Sequence, residues 1–464
     1  MGVPLPLVPS GTGGAGAPDA QAGSASLGEG LVADDGGSLV RRTVLPSGTR
    51  VLTETMPGQR SATVGAWVAV GSRDEATEHL GSTHFLEHML FKGTGRRTAM
   101  DIATAFDRVG GEANAVTGKE HTCYYAKVMA DDLGTAVDVI TDMVTSATVD
   151  PDDFASERGV ILEELAMNED DPDDVAHERF VEALFGDHPL ARPIGGTPDT
   201  IHAVGRDDVV AHYRRHYEAP TLVVTAAGGV SHDAVVAAVE AEVARAGWTG
   251  AGGPPAPRRQ DTGTGAPPSA TGADVVVRRD IEQAHVILGT SALAATDGER
   301  YTLSVLNAVL GGGMSSRLFQ EVREKRGLAY TVYSFSTGYA DGGYLGLYAA
   351  CGPSRIDTVV DLLVAEWQRL AADGITDEEL ARGIGQVSGG MVLGLEDTGS
   401  RMGRLGRAEI VHGEFSGLDE TVARVRAVTA EGVRDLAARL AARPRTLAVV
   451  GPFDPDRSFG STAA

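Results

Sequence analysis

The stretch DDLGTAVDVITDMV at residues 131–144 is echoed by SRIDTVVDLLVAEWQRL at residues 354–370. In both stretches apolar residues recur at intervals of three and four, which predicts amphipathic helices. Strand-like apolar segments precede them at 62–71, 120–128, 285–293 and 344–352. The repeated order predicts two similar halves that both mix strands with helices.

Two stretches rich in Gly, Ala, Ser and Pro divide the chain of 464 residues. Residues 1–37 have no periodic apolar pattern and are predicted to be a disordered tail, and residues 249–272 are predicted to be a linker. The remaining ranges, 38–248 and 273–464, are then an N-terminal and a C-terminal domain. Each has about 200 residues, enough for a core of its own.

Charge and hydropathy exclude several classes of function. The net charge of −24 comes with no basic stripe, so we expect no nucleic-acid partner. It is compatible with basic ligands, or with solubility alone. No run approaches the roughly 20 apolar residues of a membrane helix, and the N-terminus lacks the basic start of a secretory signal. With Cys123 and Cys351 interpreted as buried thiols, we expect a cytoplasmic protein.

The segment GSTHFLEHMLFKGT at residues 81–94 carries a candidate metal site. On a helix, His84 and His88 lie about 40° apart around the axis and one turn apart along it, so both imidazoles can reach one ion. Glu87 flanks the same face, where its carboxylate can take a proton from an attacking water without binding the metal. The alternative is a surface or capping role for an ordinary histidine pair.

A third ligand has to come from another segment, and ERGVILEEL at residues 157–165 offers glutamates on one predicted helix. Glu157 and Glu164 are seven residues apart and share a face, whereas Glu163 points about 100° away from Glu164. We therefore assign Glu164 as the ligand and Glu157 as a hydrogen-bonding support for a histidine. Two imidazoles and one carboxylate suit one catalytic Zn²⁺ per chain, although manganese or cobalt would also accept them.

These motifs resemble the pitrilysin/insulinase family of zinc peptidases, and in particular its two-domain members related to the mitochondrial processing peptidase. HFLEH at 84–88 is similar to the family's HxxEH motif, and the resemblance spans about residues 40–452. It implies an α+β fold of two similar domains, each a largely antiparallel sheet with helices packed on it. It also implies that GGEANAVTGKEHTCYY at 110–125 contains an edge strand, where Asn114 and Ala115 bind the substrate backbone as an added strand.

The resemblance implies a second part of the active site in LFQEVREKRGLAYTVYS at residues 318–334. There Arg323 and Tyr330 match an Arg/Tyr pair that contacts the substrate and stabilises the oxyanion. From the residues alone, this would be a solvated basic turn with Tyr330 in the core. Because one chain carries both elements, the resemblance implies a homodimer whose sites are each completed by the second copy.

The acidic segment AMNEDDPDDVAHERF at residues 166–180 has two interpretations. By resemblance, Asp174 and Glu178 bind a basic residue near the cleavage point. The alternative is a solvated acidic loop.

Two hypotheses about function follow. The first is a zinc metalloendopeptidase that cleaves peptides or unfolded segments inside a dimeric clamshell. The second is a catalytically silent structural subunit of a larger complex. Silent relatives usually lose part of HxxEH or the distal glutamate, and this chain retains both, which favours the enzyme. An active subunit that needs a different partner chain stays open.

Overall fold

The structure is a computed structural model that describes residues 3–4, 29–248 and 269–459. It divides into two compact units that both contain segments from the two halves of the chain. Unit 1 comprises Met1–Leu162, Ile194–Asp261 and Leu393–Glu420. Unit 2 comprises Glu163–Pro193, Thr262–Val392 and Thr421–Ala464. The predicted sequence ranges 38–248 and 273–464 do not include this exchange of segments.

The strands, in chain order, are β1 Val3–Pro4, β2 Glu29–Asp35, β3 Ser38–Val44, β4 Arg50–Thr55, β5 Ser61–Val68, β6 Glu112–Thr117, β7 Thr122–Met129, β8 Leu222–Gly228, β9 Asp274–Arg278, β10 Ala284–Ala292, β11 Ala329–Gly338, β12 Gly343–Cys351, β13 Glu414–Phe415 and β14 Thr446–Gly451. The α-helices are α1 Ser82–Leu90, α2 Ala99–Asp107, α3 Leu133–Ser146, α4 Pro151–Asp170, α5 Pro172–Phe185, α6 Pro198–Ala203, α7 Arg206–His216, α8 His232–Arg245, α9 Arg300–Gly311, α10 Ile356–Asp373, α11 Asp377–Gly394, α12 Thr398–Arg407, α13 Leu418–Arg426 and α14 Ala430–Ala441.

Unit 1 is built on a seven-stranded sheet in the order β2-β3-β4-β8-β5-β7-β6. Its neighbouring strands are antiparallel except β4 and β8. Helix α12 covers one face, where Thr63 bonds Thr398 at 2.8 Å between the hydroxyl oxygens. Since side chains alternate along a strand, Val64 and Ala66 point to the opposite face, which α3 covers. The central strands β5 and β8 are thus buried on both faces.

Unit 2 repeats this plan with a five-stranded sheet in the order β11-β12-β10-β14-β9, antiparallel except for β14 and β9. Helices α9, α10 and α14 pack together with the sheet in one apolar core. The amphipathic helix α5 buries Phe180 and Leu184 in a second core, against residues such as Ile287 and Tyr348. The prediction of two similar α+β domains with largely antiparallel sheets is confirmed.

In each unit the helix that covers one sheet face comes from the other half of the chain. Close backbone approach at glycines makes both contacts possible. A Cβ on Gly406 of α12 would lie 2.4 Å from Cε2 of Trp67, and a Cβ on Gly289 of β10 would lie 2.4 Å from Cζ of Phe180. The packing of these helices on the sheets therefore depends on glycine at the positions where helix and sheet are in contact.

Two predicted low-complexity segments have different outcomes. Residues 29–35 were expected in the disordered tail, but they form β2, paired antiparallel with β3. The reason is that Gly36 and Gly37 adopt φ of 65° and 90°, which makes the two-residue turn of a hairpin. Residues 5–28 and most of the predicted linker, 249–268, lie outside the described residues.

Both cysteines are free and buried, as expected. Burial raises the pKa of both thiols, that of Cys351 to about 11. Among the described residues no helix has the length and apolar character needed to cross a membrane.

Candidate metal centre

Helix α1 carries the histidine pair, and its first turn is held by a buried carboxylate. Gly81 caps the helix with φ of 91°, and neither it nor its neighbours provide a side-chain cap. Instead Glu75 accepts hydrogen bonds from the backbone N–H groups of Gly81 at 2.8 Å and Thr83 at 2.7 Å. A negative charge there also complements the helix dipole. The side chains of Ser82 and Thr83 have other partners, because Ser82 donates to the His79 carbonyl and Thr83 bonds His212.

Aromatic packing places helix α4 beside α1. The ring of Phe85 stacks on that of Phe154, with centroids 4.2 Å apart and planes inclined by 13°. The Arg158 guanidinium lies over both rings, 5.8 Å and 5.2 Å from their centroids, and donates to carbonyls at the end of α6. These contacts turn the face of α4 that carries Glu157 toward the histidines. Glu157 is buried there with 5% exposure.

The structure brings His84, His88 and Glu164 together. The two Nε2 atoms are 3.2 Å apart, and one ligand atom from each of the three residues lies within 4.8 Å of the others. Glu164 follows Glu157 by two turns of helix α4. In the described part of the chain, no other group of His, Cys, Asp or Glu side chains has this spacing.

The chemistry of these donors fits a catalytic zinc ion. Two imidazole nitrogens and one carboxylate oxygen are typical ligands, and three protein ligands leave a fourth position for water or substrate. All three side chains are half-buried. An ion bound there would be partly shielded from water but could still exchange with solvent. Glu163 is exposed, as its predicted orientation requires.

Glu157 orients the second histidine. Its Oε1 lies 2.9 Å from Nδ1 of His88, so the ring donates there and presents its Nε2 toward His84. The other oxygen, Oε2, lies 2.5 Å from Nζ of Lys92. The predicted support from Glu157 thus has the expected geometry, and Lys92 is a partner that the sequence did not suggest.

Glu87 receives a hydrogen bond from the sheet. Thr117, the last residue of β6, donates its hydroxyl hydrogen to Oε2 of Glu87. Beneath it, burial raises the pKa values of Tyr124 and Tyr217, and the charge of Glu87 raises them further. Both phenols therefore stay protonated at neutral pH, whereas a carboxylate such as that of Glu87 is a group that can accept a proton.

The predicted substrate-binding strand is an edge strand. β6 pairs with β7 and is the last strand of its sheet among the described residues, with Asn114 opposite Tyr125 and Ala115 opposite Tyr124. Asn114 is exposed and Ala115 half-buried. An edge strand offers unpaired backbone groups to an extended peptide.

Comparisons with known proteins identify the family. The model described as Insulinase (Peptidase family M16) matches residues 50–198, and the one described as Peptidase M16 inactive domain matches residues 203–387. An uncharacterized zinc protease of Streptomyces coelicolor is 49% identical over 416 residues, which cover 89% of this chain and 90% of that protein. The chain belongs to peptidase family M16. An M16 relative in Bacillus subtilis, the uncharacterized zinc protease YmxG, is 38% identical over 89% of this chain and 98% of its own.

Solved structures share the M16 fold at lower identity. A protease from Helicobacter pylori superposes with a TM-score of 0.83 and 22% identity over 89% of this chain and 99% of that chain. A peptidase M16 inactive domain from Pseudomonas fluorescens gives 0.80 and 20%, over 90% and 100%. A chain of complex III2 from Candida albicans gives 0.77 and 20%, over 91% and 99%.

The Arg/Tyr pair expected in an M16 enzyme lies together in unit 2. The Arg323 guanidinium lies 4.3 Å from the centroid of the Tyr330 ring, and its Nη1 donates to the Tyr330 carbonyl at 3.2 Å. The Tyr330 side chain is 73% exposed, so the alternative of a core tyrosine is wrong. The phenol is available to a ligand, and its contact with substrate stays a prediction.

Asp174 and Glu178 lie on the exposed side of α5, opposite the buried Phe180. Desolvation raises the pKa of Asp174, and the charges of Asp171 and Asp173 raise it further. Both carboxylates are open to solvent and four residues apart on one helix face. Their role in binding a basic residue stays a prediction.

Three supporting residues escaped the sequence analysis: Glu75, Lys92 and Thr117. Lys92 and Thr117 act through partners that are distant in sequence, so no spacing along the chain points to them. Glu75 acts on backbone N–H groups six and eight residues further along, through a turn that has no periodic pattern. The best available signal was the alternation of β6, which turns Thr117 to the same face as Ala115.

Proposed function

We propose that this M16 protein is a zinc-dependent endopeptidase that hydrolyses peptides or unfolded protein segments. The observation that carries the proposal is the convergence of the ligand atoms of His84, His88 and Glu164 within 4.8 Å, with Glu87 on the same helix as the histidines. The zinc protease names of its relatives support the same metal. Bound zinc would polarise the scissile carbonyl and lower the pKa of water.

The side chains of this chain supply the remaining steps. Glu87, oriented by Thr117, takes the proton from the attacking water and returns it to the leaving amine. Glu157 keeps His88 in the tautomer that presents Nε2. The edge strand β6 aligns the substrate backbone through Asn114 and Ala115.

We further propose that the working enzyme is a cytoplasmic homodimer that encloses its substrate. Arg323 and Tyr330 of the second copy would donate hydrogen bonds to the oxyanion of the tetrahedral intermediate. A twofold axis would then generate two equivalent sites. On α5, Asp174 and Glu178 would favour substrates with a basic residue.

The second candidate, a silent structural subunit, is favoured by the likeness to a chain of complex III2 and to a domain described as inactive. Against it stands the complete set of metal-binding residues together with Glu87. Silent homologues have no need to retain a proton acceptor beside a ligand set.

The test compares wild type with Glu87→Gln and Glu164→Gln, and uses Glu163→Gln as a matched control on the exposed side of α4. Zinc per chain is measured by elemental analysis, and turnover with an unstructured peptide library. We expect Glu87→Gln to keep its zinc and lose about 10²–10⁴-fold in turnover, since general-base catalysis contributes that much. Glu164→Gln should lose the metal, and Glu163→Gln should resemble wild type.

Turnover retained in Glu87→Gln would refute the base assignment. A wild-type protein that binds zinc but cleaves no library member would support the silent subunit. Wild type without bound metal would refute the site.

A further inference from the structure

The carboxylate of Glu157 is shared between two partners, one on each oxygen. Oε1 lies 2.9 Å from Nδ1 of His88, and Oε2 lies 2.5 Å from Nζ of Lys92. The Glu157 side chain is 7% exposed, whereas that of Lys92 is 33% exposed. A carboxylate buried to this extent needs a compensating charge, and Lys92 provides it.

The backbone around Lys92 is fixed. Helix α1 ends at Leu90, and the N–H of Lys92 still donates to the Met89 carbonyl at 3.1 Å. Gly93 follows with φ of 150° and pairs with Thr98 in an isolated bridge. The lysine therefore leaves the helix one turn after His88, at a set position relative to the histidine.

The type of cation matters because this chain uses arginine almost everywhere else. Of its 40 basic residues only four are lysines. Arginine can take both oxygens of a buried or half-buried glutamate: Arg42 binds Glu409 at 2.9 and 2.8 Å, and Arg317 binds Glu379 at 2.7 and 2.9 Å. It can also bind a single oxygen, as Arg50 does on Glu409. A planar fork that took both oxygens at position 92 would compete with His88 for Oε1. A lysine is a point charge that can bind one oxygen and leave the other.

We propose that Lys92 is a positioning residue of the metal centre. It holds Oε2 of Glu157, so that Oε1 stays available to orient His88, and arginine cannot replace it. The proposal rests on the zinc site proposed above and adds to it a residue that does not touch the metal.

The experiment measures the zinc dissociation constant of the full chain by competition with a chromophoric chelator. Lys92→Arg and Lys92→Met are compared with Lys127→Arg, whose lysine forms an exposed pair with Asp397 at 2.7 Å. Loss of an outer hydrogen-bond partner typically weakens metal binding 10–100-fold. We expect a loss in about this range for both Lys92 variants, and less than about twofold for Lys127→Arg because exposed ion pairs contribute little.

A double variant separates positioning from general destabilisation. If Lys92 acts through Glu157, adding Lys92→Met to Glu157→Gln should cause no further loss of zinc affinity, since the cycle isolates their coupling. The double variant also leaves no unpaired buried carboxylate, so it stays informative if Lys92→Met folds poorly.

Three results would overturn the proposal. The first is Lys92→Arg binding zinc as tightly as wild type. The second is additive losses in the double variant, which would indicate a role apart from Glu157. Both leave the zinc site itself standing. The third, a wild-type chain that takes up no zinc, would remove the centre that Lys92 is proposed to support.

Discussion

Substituting Glu409 by glutamine should destabilise unit 1 more than any surface substitution. Glu409 follows α12 and is fully buried. It accepts hydrogen bonds from Nε and Nη2 of Arg42 at 2.9 and 2.8 Å, and from Nη1 of Arg50 at 3.1 Å. Both arginine side chains are at most 2% exposed. This triad fastens the segment Leu393–Glu420, which comes from the second half of the chain, to strands β3 and β4 of unit 1.

The expected loss of stability follows from the buried charges that the substitution leaves unpaired. Glutamine offers one acceptor oxygen and no charge, so two buried guanidinium groups lose their counter-ion. Breaking a buried ion pair by removing one partner costs about 3–5 kcal/mol, because the remaining charge is uncompensated. We expect a loss in this range for Glu409→Gln.

The pH dependence has a definite sign. Burial alone would raise the pKa of Glu409, but the hydrogen bonds and charges of Arg42 and Arg50 outweigh it and lower the pKa. A carboxyl whose pKa is lower in the folded state stabilises the fold above its unfolded pKa of about 4.3. That stabilisation is lost as the pH falls through the folded pKa. The difference between wild type and Glu409→Gln should therefore shrink on acidification below about pH 4.

The assay is urea unfolding followed by tryptophan fluorescence. Because two units need not unfold together, the unit 1 transition is isolated in a Trp248→Phe/Trp367→Phe background, where Trp67 reports from the sheet face under α12. Asp207→Asn is the matched control within unit 1, since its side chain is 99% exposed and its ion pair with Arg206 spans 3.5 Å. A loss below about 1 kcal/mol for Glu409→Gln, the range of exposed pairs, would refute the reasoning.

Two further predictions concern the proposed enzyme. If each site takes its Arg/Tyr pair from the second copy, mixing inactive Glu87→Gln with inactive Arg323→Ala/Tyr330→Phe should restore activity. Random exchange of subunits makes half of the dimers mixed, and each mixed dimer has one intact site out of two. About a quarter of wild-type turnover should therefore return. A mixture no more active than its components would contradict the shared site. Asp174→Ala should lower kcat/KM more for arginine-containing peptides than for neutral ones, and equal losses would count against the acidic subsite. Since the pKa of Asp174 is raised, the preference for arginine should begin to fade on acidification at a higher pH than for an ordinary aspartate.

Much of the metal centre could be predicted because its residues lie close together in sequence on two helices. His84, Glu87 and His88 share a helix of nine residues, and Glu157 and Glu164 share another, so helical periodicity alone sets their relative directions. The amphipathic pattern of residues 131–144 likewise predicted α3, which the structure places at Leu133–Ser146. Such patterns report which residues lie on one face of one element.

Only the tertiary structure shows which residues of other elements pack against a given helix face. The stacking of Phe85 on Phe154 brings α4 to α1 across about 70 residues of chain, and Thr117 reaches Glu87 from a strand. Helix α5 comes from the first half of the chain and covers the sheet of unit 2, and helix α12 comes from the second half and covers the sheet of unit 1. Spacing along the sequence carries no record of these contacts, because they depend on how separate elements pack. The histidines and glutamates were therefore visible in the sequence, whereas the side chains that hold them in place appeared only in the fold.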